Sequence, residues 1–110
     1  MRDRSSIRVI PRSAVTVAIE GQGGPLADGV VANISEAGVC VWTDGAFQIG
    51  ETLVLRLRFA QEPEPLQAAG RIVWGERNRD EKGARRYGLQ WAHTSGPQHD
   101  RLRSAIGTSS

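Results

Sequence analysis

The stretch from residue 53 to residue 60 is the feature that most constrains the fold of this chain. Every second position is a large apolar residue: Leu53, Leu55, Leu57 and Phe59. Arg56 and Arg58 lie between them, and a period of two is the pattern of a β-strand with one buried face and one face in solvent. Gly50 precedes the stretch and Pro63 follows it, and proline cannot continue a strand ladder. We therefore predict a half-buried strand here.

Five other segments carry strand signals, and most of them are rich in β-branched residues. They are residues 15–20, 29–34, 39–42, 66–74 and 86–91. The second and third of these segments are close enough for a hairpin, with Gly38 available for a positive φ. The charged residues 76–85 predict an exposed loop. Six short strands separated by turns are typical of a barrel or sandwich, and closure into a barrel removes free sheet edges.

A short helix is predicted near the C-terminus. Ser95 is placed to cap it, with Pro97 in the first turn. Leu102 and Ile106 are four positions apart and fall on one face of such a helix. Because a helix this short is marginal on its own, it must dock onto the barrel, and we expect it to close one open end.

Charge is distributed unevenly along the 110 residues, a length that suits one domain. Residues 1–12 sum to +3, residues 13–75 to −4 and residues 76–110 to +3, and 13 of the 14 cationic residues are arginine. Arginine presents a planar fork that matches phosphates and guanine edges, so the basic N-terminus favours anionic, planar ligands. A solvated basic tail is the alternative interpretation.

Residues that could support catalysis are few. Cys40 is the only cysteine and lies in an apolar strand pattern, and His93 and His99 do not have metal-ligand spacing. The glycine-rich residues 21–24 precede Pro25 rather than a helix, which excludes a phosphate loop. We expect a binding protein rather than an enzyme, with no metal or cofactor. Without a signal peptide or a long apolar run, the expected location is the cytoplasm, away from membranes.

Two short motifs remain. Arg4 and Arg8 form an Arg-x-x-x-Arg spacing ahead of the first strand, and Arg8 and Arg12 repeat it. An Asn-x-Ser-x-x-Gly sequence occupies residues 33–38, beginning 25 positions after Arg8. In this order and in this strand context, the two motifs resemble those of the PilZ family, and the resemblance extends over nearly the whole chain.

The resemblance implies an all-β fold. Residues 13–107 would form a six-stranded antiparallel PilZ-type split β-barrel with a short C-terminal helix. Residues 1–12 would form a flexible, Arg-rich ligand-binding segment.

The three tryptophans Trp42, Trp74 and Trp91 each sit within a strand pattern, so we interpret them as core or barrel-rim residues rather than stacking platforms.

The resemblance also implies binding of the bacterial second messenger cyclic di-GMP. An arginine fork can pair with the O6 and N7 edge of guanine, and a guanidinium can stack on its ring. We assign these roles to Arg4 and Arg8. The spacing leaves open whether Arg8 acts with Arg4 or with Arg12, which otherwise decorates the start of the first strand. Arg2 could add a phosphate contact.

The second motif would serve the same ligand. The Asn33 side-chain carbonyl and the Ser35 hydroxyl could accept hydrogen bonds from N1 and N2 of guanine. Gly38 is explained either by backbone conformation or by close approach of the ligand. The candidate ligand-binding residues are therefore Arg4, Arg8, Asn33, Ser35 and Gly38, with Arg2 and Arg12 as further candidates.

The expected mechanism is that cyclic di-GMP orders residues 2–12 across the barrel and that the reshaped surface recruits or releases a partner protein. One alternative is a PilZ-like interaction module that has lost nucleotide binding. Another is a small barrel that binds single-stranded nucleic acid through its basic ends. The acidic middle of the chain argues against the second alternative, so no nucleic-acid polymer is expected as a partner.

Overall fold

The computed structural model describes residues 10, 11, 13–76 and 83–109. Six strands precede one helix: β1 (Thr16–Gly21), β2 (Gly24–Ile34), β3 (Gly38–Thr43), β4 (Thr52–Arg58), β5 (Leu66–Gly75), β6 (Arg85–Trp91) and α1 (Pro97–Ser109). All six predicted strands are present, and β2 extends further back than expected, to Gly24. Most of the predicted loop at 76–85 lies outside the described residues.

The strands form a closed barrel in the order β1-β2-β3-β6-β5-β4, and every neighbouring pair is antiparallel. Two pairings between distant segments complete the ring. In one, Thr16 of β1 is paired with Arg58 of β4. In the other, Gly38 of β3 is paired with Gln90 of β6. The predicted six-stranded antiparallel barrel is therefore confirmed.

Alternation along β4 places its apolar side chains inside the barrel, as the sequence predicts. Leu55 and Leu57 have no exposed surface, whereas Arg56 and Arg58 between and beside them are exposed. Burial of each large aliphatic side chain contributes about 1.5–3 kcal/mol to folding, relative to leaving it in water. Buried side chains from all six strands and from α1 form one core, so the outer surface of the barrel is what the chain presents to other molecules.

Helix α1 closes one end of the barrel. Leu102 and Ile106 are buried as predicted, and Gln61 Nε2, between β4 and β5, donates a hydrogen bond to the Ala105 carbonyl at 3.3 Å. The expectation that Ser95 caps the helix is wrong. The Gly96 carbonyl accepts the first helical bond, from Asp100 N at 3.0 Å, which makes Gly96 the N-cap and leaves Pro97 at the first helical position.

The barrel has two ends that differ in what covers them. We call the one beneath α1 the helix end; it includes the turn between β2 and β3 and the connection between β4 and β5. The other, the loop end, includes the β1–β2 turn and the long connection between β3 and β4. Within the described residues, no helix is long and apolar enough to cross a membrane.

Candidate functional site

The turn between β2 and β3 is held by the Ser35 side chain. Ser35 is buried, and its Oγ accepts hydrogen bonds from Ala37 N at 3.1 Å and from Gly38 N at 3.2 Å. The hydroxyl also donates to the Gly38 carbonyl at 3.4 Å. One hydroxyl has one donor and two acceptor sites, so its capacity is used within the turn. Ser35 therefore shapes the turn, and the expected contact of its hydroxyl with guanine does not fit this geometry.

Gly38 is required for packing between strands. Its φ is not positive, contrary to the prediction; the described glycines with positive φ are Gly24, Gly50, Gly83 and Gly96. A Cβ at position 38 would lie 2.3 Å from the Leu89 carbonyl oxygen on β6. The backbones of β3 and β6 approach too closely here for any side chain, and this leaves an open surface beside the turn.

Trp91 supports the turn from β6. It is 4% exposed, and its Nε1 donates a hydrogen bond to the Ser35 carbonyl at 3.0 Å. Its backbone N–H donates to the Ala37 carbonyl, also at 3.0 Å. Trp91 is thus the core residue that the sequence predicted. Its support of the turn depends on a pairing between distant strands and was not predicted.

Asn33 lies on the outer surface next to this turn. It is half-buried, and its register partner on β3 is Cys40. Neighbouring Ile34 is fully buried in the core. Because successive side chains of a strand point to opposite faces, the Asn33 amide faces outward. The second motif therefore contributes one outward-facing amide and one rigid turn to the surface.

A shallow recess of about 320 Å³ adjoins the turn on this outer surface. Its lining residues are Ala37, Gly38, Val73, Leu89 and Gln90. Val73 is 44% exposed and lies at an irregularity of β5, between Ile72 and Trp74. We call this depression the outer recess. Its apolar wall and its position beside Asn33 suit a flat, partly apolar ligand.

A stack of planar side chains lies on β3, β5 and β6, and one of its members, Trp74, follows Val73 of the outer recess. The Arg86 guanidinium carbon lies 5.3 Å from the ring centre of Trp42 and 5.7 Å from that of Trp74, and the side chain forms an ion pair with Glu76. Trp74 is 38% exposed. The prediction of core or rim positions thus describes Trp91 well. The outer stack was missed because it forms only when β3, β5 and β6 are paired.

The chain that enters β1 approaches the same turn. The Val15 carbonyl accepts a hydrogen bond from Val31 N at 2.9 Å. Because β1 and β2 are antiparallel, β1 begins at the same end of the barrel as the turn that follows β2. Ile10, the first described residue, is 77% exposed. The four arginines assigned from the sequence, Arg2, Arg4, Arg8 and Arg12, lie outside the described residues.

Helix α1 contributes a cation to this region. Arg103 Nε lies 2.8 Å from Oε1 of Glu36, which is in the turn. The turn is therefore joined to α1 by an ion pair and to β6 by Trp91. Among the described residues, no group of three or more His, Cys, Asp or Glu side chains could hold a metal ion.

Comparison with known proteins agrees with this architecture. The PilZ domain family model matches residues 2–107. The PilZ domain of Escherichia coli YcgR, solved with c-di-GMP, superimposes with a TM-score of 0.74 at 13% identity, covering 94% of this chain and 88% of that one. The Bacillus subtilis inhibitor of motility MotI/DgrA gives a TM-score of 0.72 at 20% identity.

That second match covers 98% of this chain but 51% of MotI, so the chain spans about half the length of that protein. A further match, Escherichia coli YcgR in complex with c-di-GMP, has a TM-score of 0.68 and 9% identity, with 93% of this chain and 43% of that one covered. A comparison with curated protein sequences finds no match. Because the family model covers nearly the whole sequence, the chain belongs to the PilZ domain family.

Proposed function

We propose that this protein binds cyclic di-GMP at the helix end of the barrel, through Arg4 and Arg8 together with Asn33 and the rigid turn. The observation that carries the proposal is the hydrogen bond between Val31 N and the Val15 carbonyl. It places the start of β1 at the same end of the barrel as the turn that contains the second motif, which supports an approach of the two arginines from this end. The YcgR structures solved with c-di-GMP share this fold and support the assignment.

The arginines can reach the site. Arg8 precedes Val15 by seven positions, and an extended chain spans about 3.3–3.6 Å per residue. The intervening segment therefore covers up to roughly 25 Å. On the neighbouring strand, the distance from Val31 to Ile34 is about 10 Å at the usual rise of a β-strand. The reach from Val15 exceeds the distance to the turn, so the leading segment can fold over the outer recess.

The chemistry of the ligand matches the groups that we propose for this site. Each guanine presents the O6 and N7 acceptors, which an arginine fork can engage, and each phosphate attracts a guanidinium. The Asn33 carbonyl can accept a hydrogen bond from the Watson–Crick edge of a guanine. Trp74 and Val73 provide an exposed apolar wall against which a base can pack. Ser35 and Gly38 act indirectly, by fixing the turn and keeping the surface open.

The response to the ligand would pass through the leading segment. Cyclic di-GMP would hold residues 2–12 against the barrel, and the altered surface would bind or release a partner protein in the cytoplasm. The protein would thus act by binding rather than by catalysis. Amide hydrogen exchange with and without the ligand tests this step: we expect slower exchange in residues 2–12, and unchanged exchange despite binding would reject it.

Titration calorimetry with cyclic di-GMP tests the proposed site. Arg4→Ala and Arg8→Ala are expected to weaken binding by roughly 10- to 100-fold each, because each removes a charged hydrogen-bonding group. Arg12→Ala removes the same charge from the same segment and is the matched control; a larger loss there than at Arg4 would identify Arg8 and Arg12 as the operative pair. Absence of binding by the wild-type protein would support the alternative of an interaction module without a nucleotide.

A further inference from the structure

The ion pair between the turn and α1 involves two accessible side chains. The Arg103 side chain is 55% exposed and the Glu36 side chain is 34% exposed. Glu36 occupies a position that the second motif leaves unspecified, between Ser35 and Ala37. An ion pair with this much solvent contact contributes little to stability, and salt weakens it. Its partners can therefore be exchanged at little cost to the fold.

The ion pair lies beside the proposed ligand site. A cleft of about 260 Å³ separates the turn from α1, and Glu36, Ala37, Thr94, His99 and Arg103 line it. Ala37 also lines the outer recess. The cleft and the recess thus share Ala37 of the turn, so a ligand that occupies the recess brings its charges toward both partners of the ion pair.

We propose, on the basis of the cyclic di-GMP function above, that Arg103 is a ligand-binding residue and that Glu36 competes with a ligand phosphate for it. A guanidinium has more N–H donors than one carboxylate can accept, and it binds phosphate in the same bidentate manner. The anionic ligand repels the Glu36 carboxylate and attracts Arg103. When the ligand binds, Arg103 exchanges Glu36 for the phosphate.

This exchange has two consequences. Glu36 lowers the affinity of the site, because the ligand must displace it from Arg103 and also approach a like charge. The bound ligand then contacts both the segment before β1 and helix α1, since Arg103 belongs to the helix. The affinity of the site therefore depends in part on Glu36, which lies within the second motif at a position that the motif leaves unspecified.

Calorimetric titration of the full chain with cyclic di-GMP tests the proposal. Arg103→Gln is expected to weaken binding roughly tenfold, and Arg103→Lys, which keeps the charge, should recover part of that loss. Arg101→Gln is the matched control: it removes the same charge from the same helix, and Arg101 forms no ion pair with the described residues. It should change the dissociation constant less than about twofold.

Glu36→Gln should tighten binding about threefold or more, because it removes the competitor and a like charge. In the Arg103→Gln background most of this gain should disappear. If the gain is fully kept there, Glu36 only repels the ligand and the exchange is disproved. Equal affinities for Arg103→Gln and Arg101→Gln, with wild-type binding intact, would overturn this inference alone. No binding by the wild-type chain would overturn the proposed function and the inference together.

Discussion

At each end of the barrel, a buried aromatic residue of β6 holds a neighbouring connection in place, but the two ends have different surroundings. β6 contributes one inward-facing aromatic residue to each end, Tyr87 and Trp91, and both are 4% exposed. At the loop end, the Tyr87 hydroxyl accepts a hydrogen bond from Phe47 N at 3.1 Å and donates to the Gly45 carbonyl at 3.3 Å. Its ring packs edge to face against Phe47, with ring centres 5.5 Å apart. At the helix end, Trp91 holds the turn between β2 and β3.

The two ends differ in what lies beside the buried aromatic residue. The Tyr87 hydroxyl holds the connection between β3 and β4 through hydrogen bonds to two backbone groups. At the loop end, Arg85 Nε and Arg86 Nε are buried without a hydrogen-bond partner among the described residues; at the helix end the same is true of His99 Nδ1, and the Glu36–Arg103 ion pair is open to solvent. The chain entering β1 also arrives there. The start of β1 and the anchored turn between β2 and β3 meet at the helix end, and for this reason we propose recognition there.

The largest expected effect comes from Gly38→Ala. The new Cβ would meet the Leu89 carbonyl, so β3 and β6 must separate, and the free energy of unfolding should fall by about 3 kcal/mol. The matched variant at the loop end is Gly23→Ala, where a Cβ meets nothing within 4 Å. Urea unfolding should show a change below about 1 kcal/mol for that variant. Similar losses for both would remove the argument for close packing at the turn.

Trp91→Phe should have the next largest effect. It removes the donor to the Ser35 carbonyl and part of a buried ring, so we expect a loss of about 2–3 kcal/mol in the free energy of unfolding. Because the turn loses its support, affinity for cyclic di-GMP should fall as well. Chemical denaturation and calorimetry measure the two quantities. A destabilised variant with wild-type affinity would show that the site does not need this anchor.

Ser35→Ala tests the turn directly. Two backbone N–H groups lose their acceptor, and the expected cost is about 1.5 kcal/mol. Affinity for cyclic di-GMP should decrease because the turn loosens, even though the hydroxyl is not proposed to contact the ligand. A variant with full stability and no ligand binding would instead indicate a direct contact and restore the role that the sequence predicts.

Tyr87→Phe is the counterpart of Trp91→Phe at the loop end. Removing the hydroxyl breaks the bonds to Phe47 N and the Gly45 carbonyl, at an expected cost of about 1 kcal/mol. The dissociation constant for cyclic di-GMP should stay unchanged, because the change lies at the other end of the barrel. A marked loss of affinity would contradict the assignment of recognition to the helix end.

Arg56→Gln should have the smallest effect. Arg56 pairs with Glu20 across β1 and β4 at 3.7 Å, and its side chain is 46% exposed, similar to Arg103. Solvent screening limits the loss of stability to about 0.5 kcal/mol or less. Affinity for cyclic di-GMP should not change, in contrast to Arg103→Gln. A comparable loss of affinity in both variants would mean that overall charge, rather than position, governs binding.

The sequence was sufficient to predict local structure. The alternation from Leu53 to Phe59 and the spacing of Leu102 and Ile106 each identified a buried face, because burial repeats with the period of the element. Gly96 rather than Ser95 at the helix N-cap is an error of one residue, since both residue types suit that position. Most of the correct predictions therefore rested on patterns among residues that are close together in the sequence.

Contacts between distant segments could not be predicted in the same way. A side chain at position 38 would collide with the Leu89 carbonyl on another strand. No local pattern in the sequence indicates that the two backbones approach so closely. The pairing of Arg103 with Glu36 and the position of Arg86 between two tryptophans likewise depend on how the ring closes. The motifs identified the turn, but the roles of its residues required the three-dimensional arrangement.

Closure of the ring also sets the order of events during folding. Hairpins such as β2–β3 can form locally, whereas β1 must find β4 and β3 must find β6 across long stretches of chain. Chains dominated by such distant pairings refold in milliseconds to seconds. The surface beside Gly38 is complete only once β6 has paired with β3, so acquisition of ligand binding during refolding would report the moment at which that seam closes.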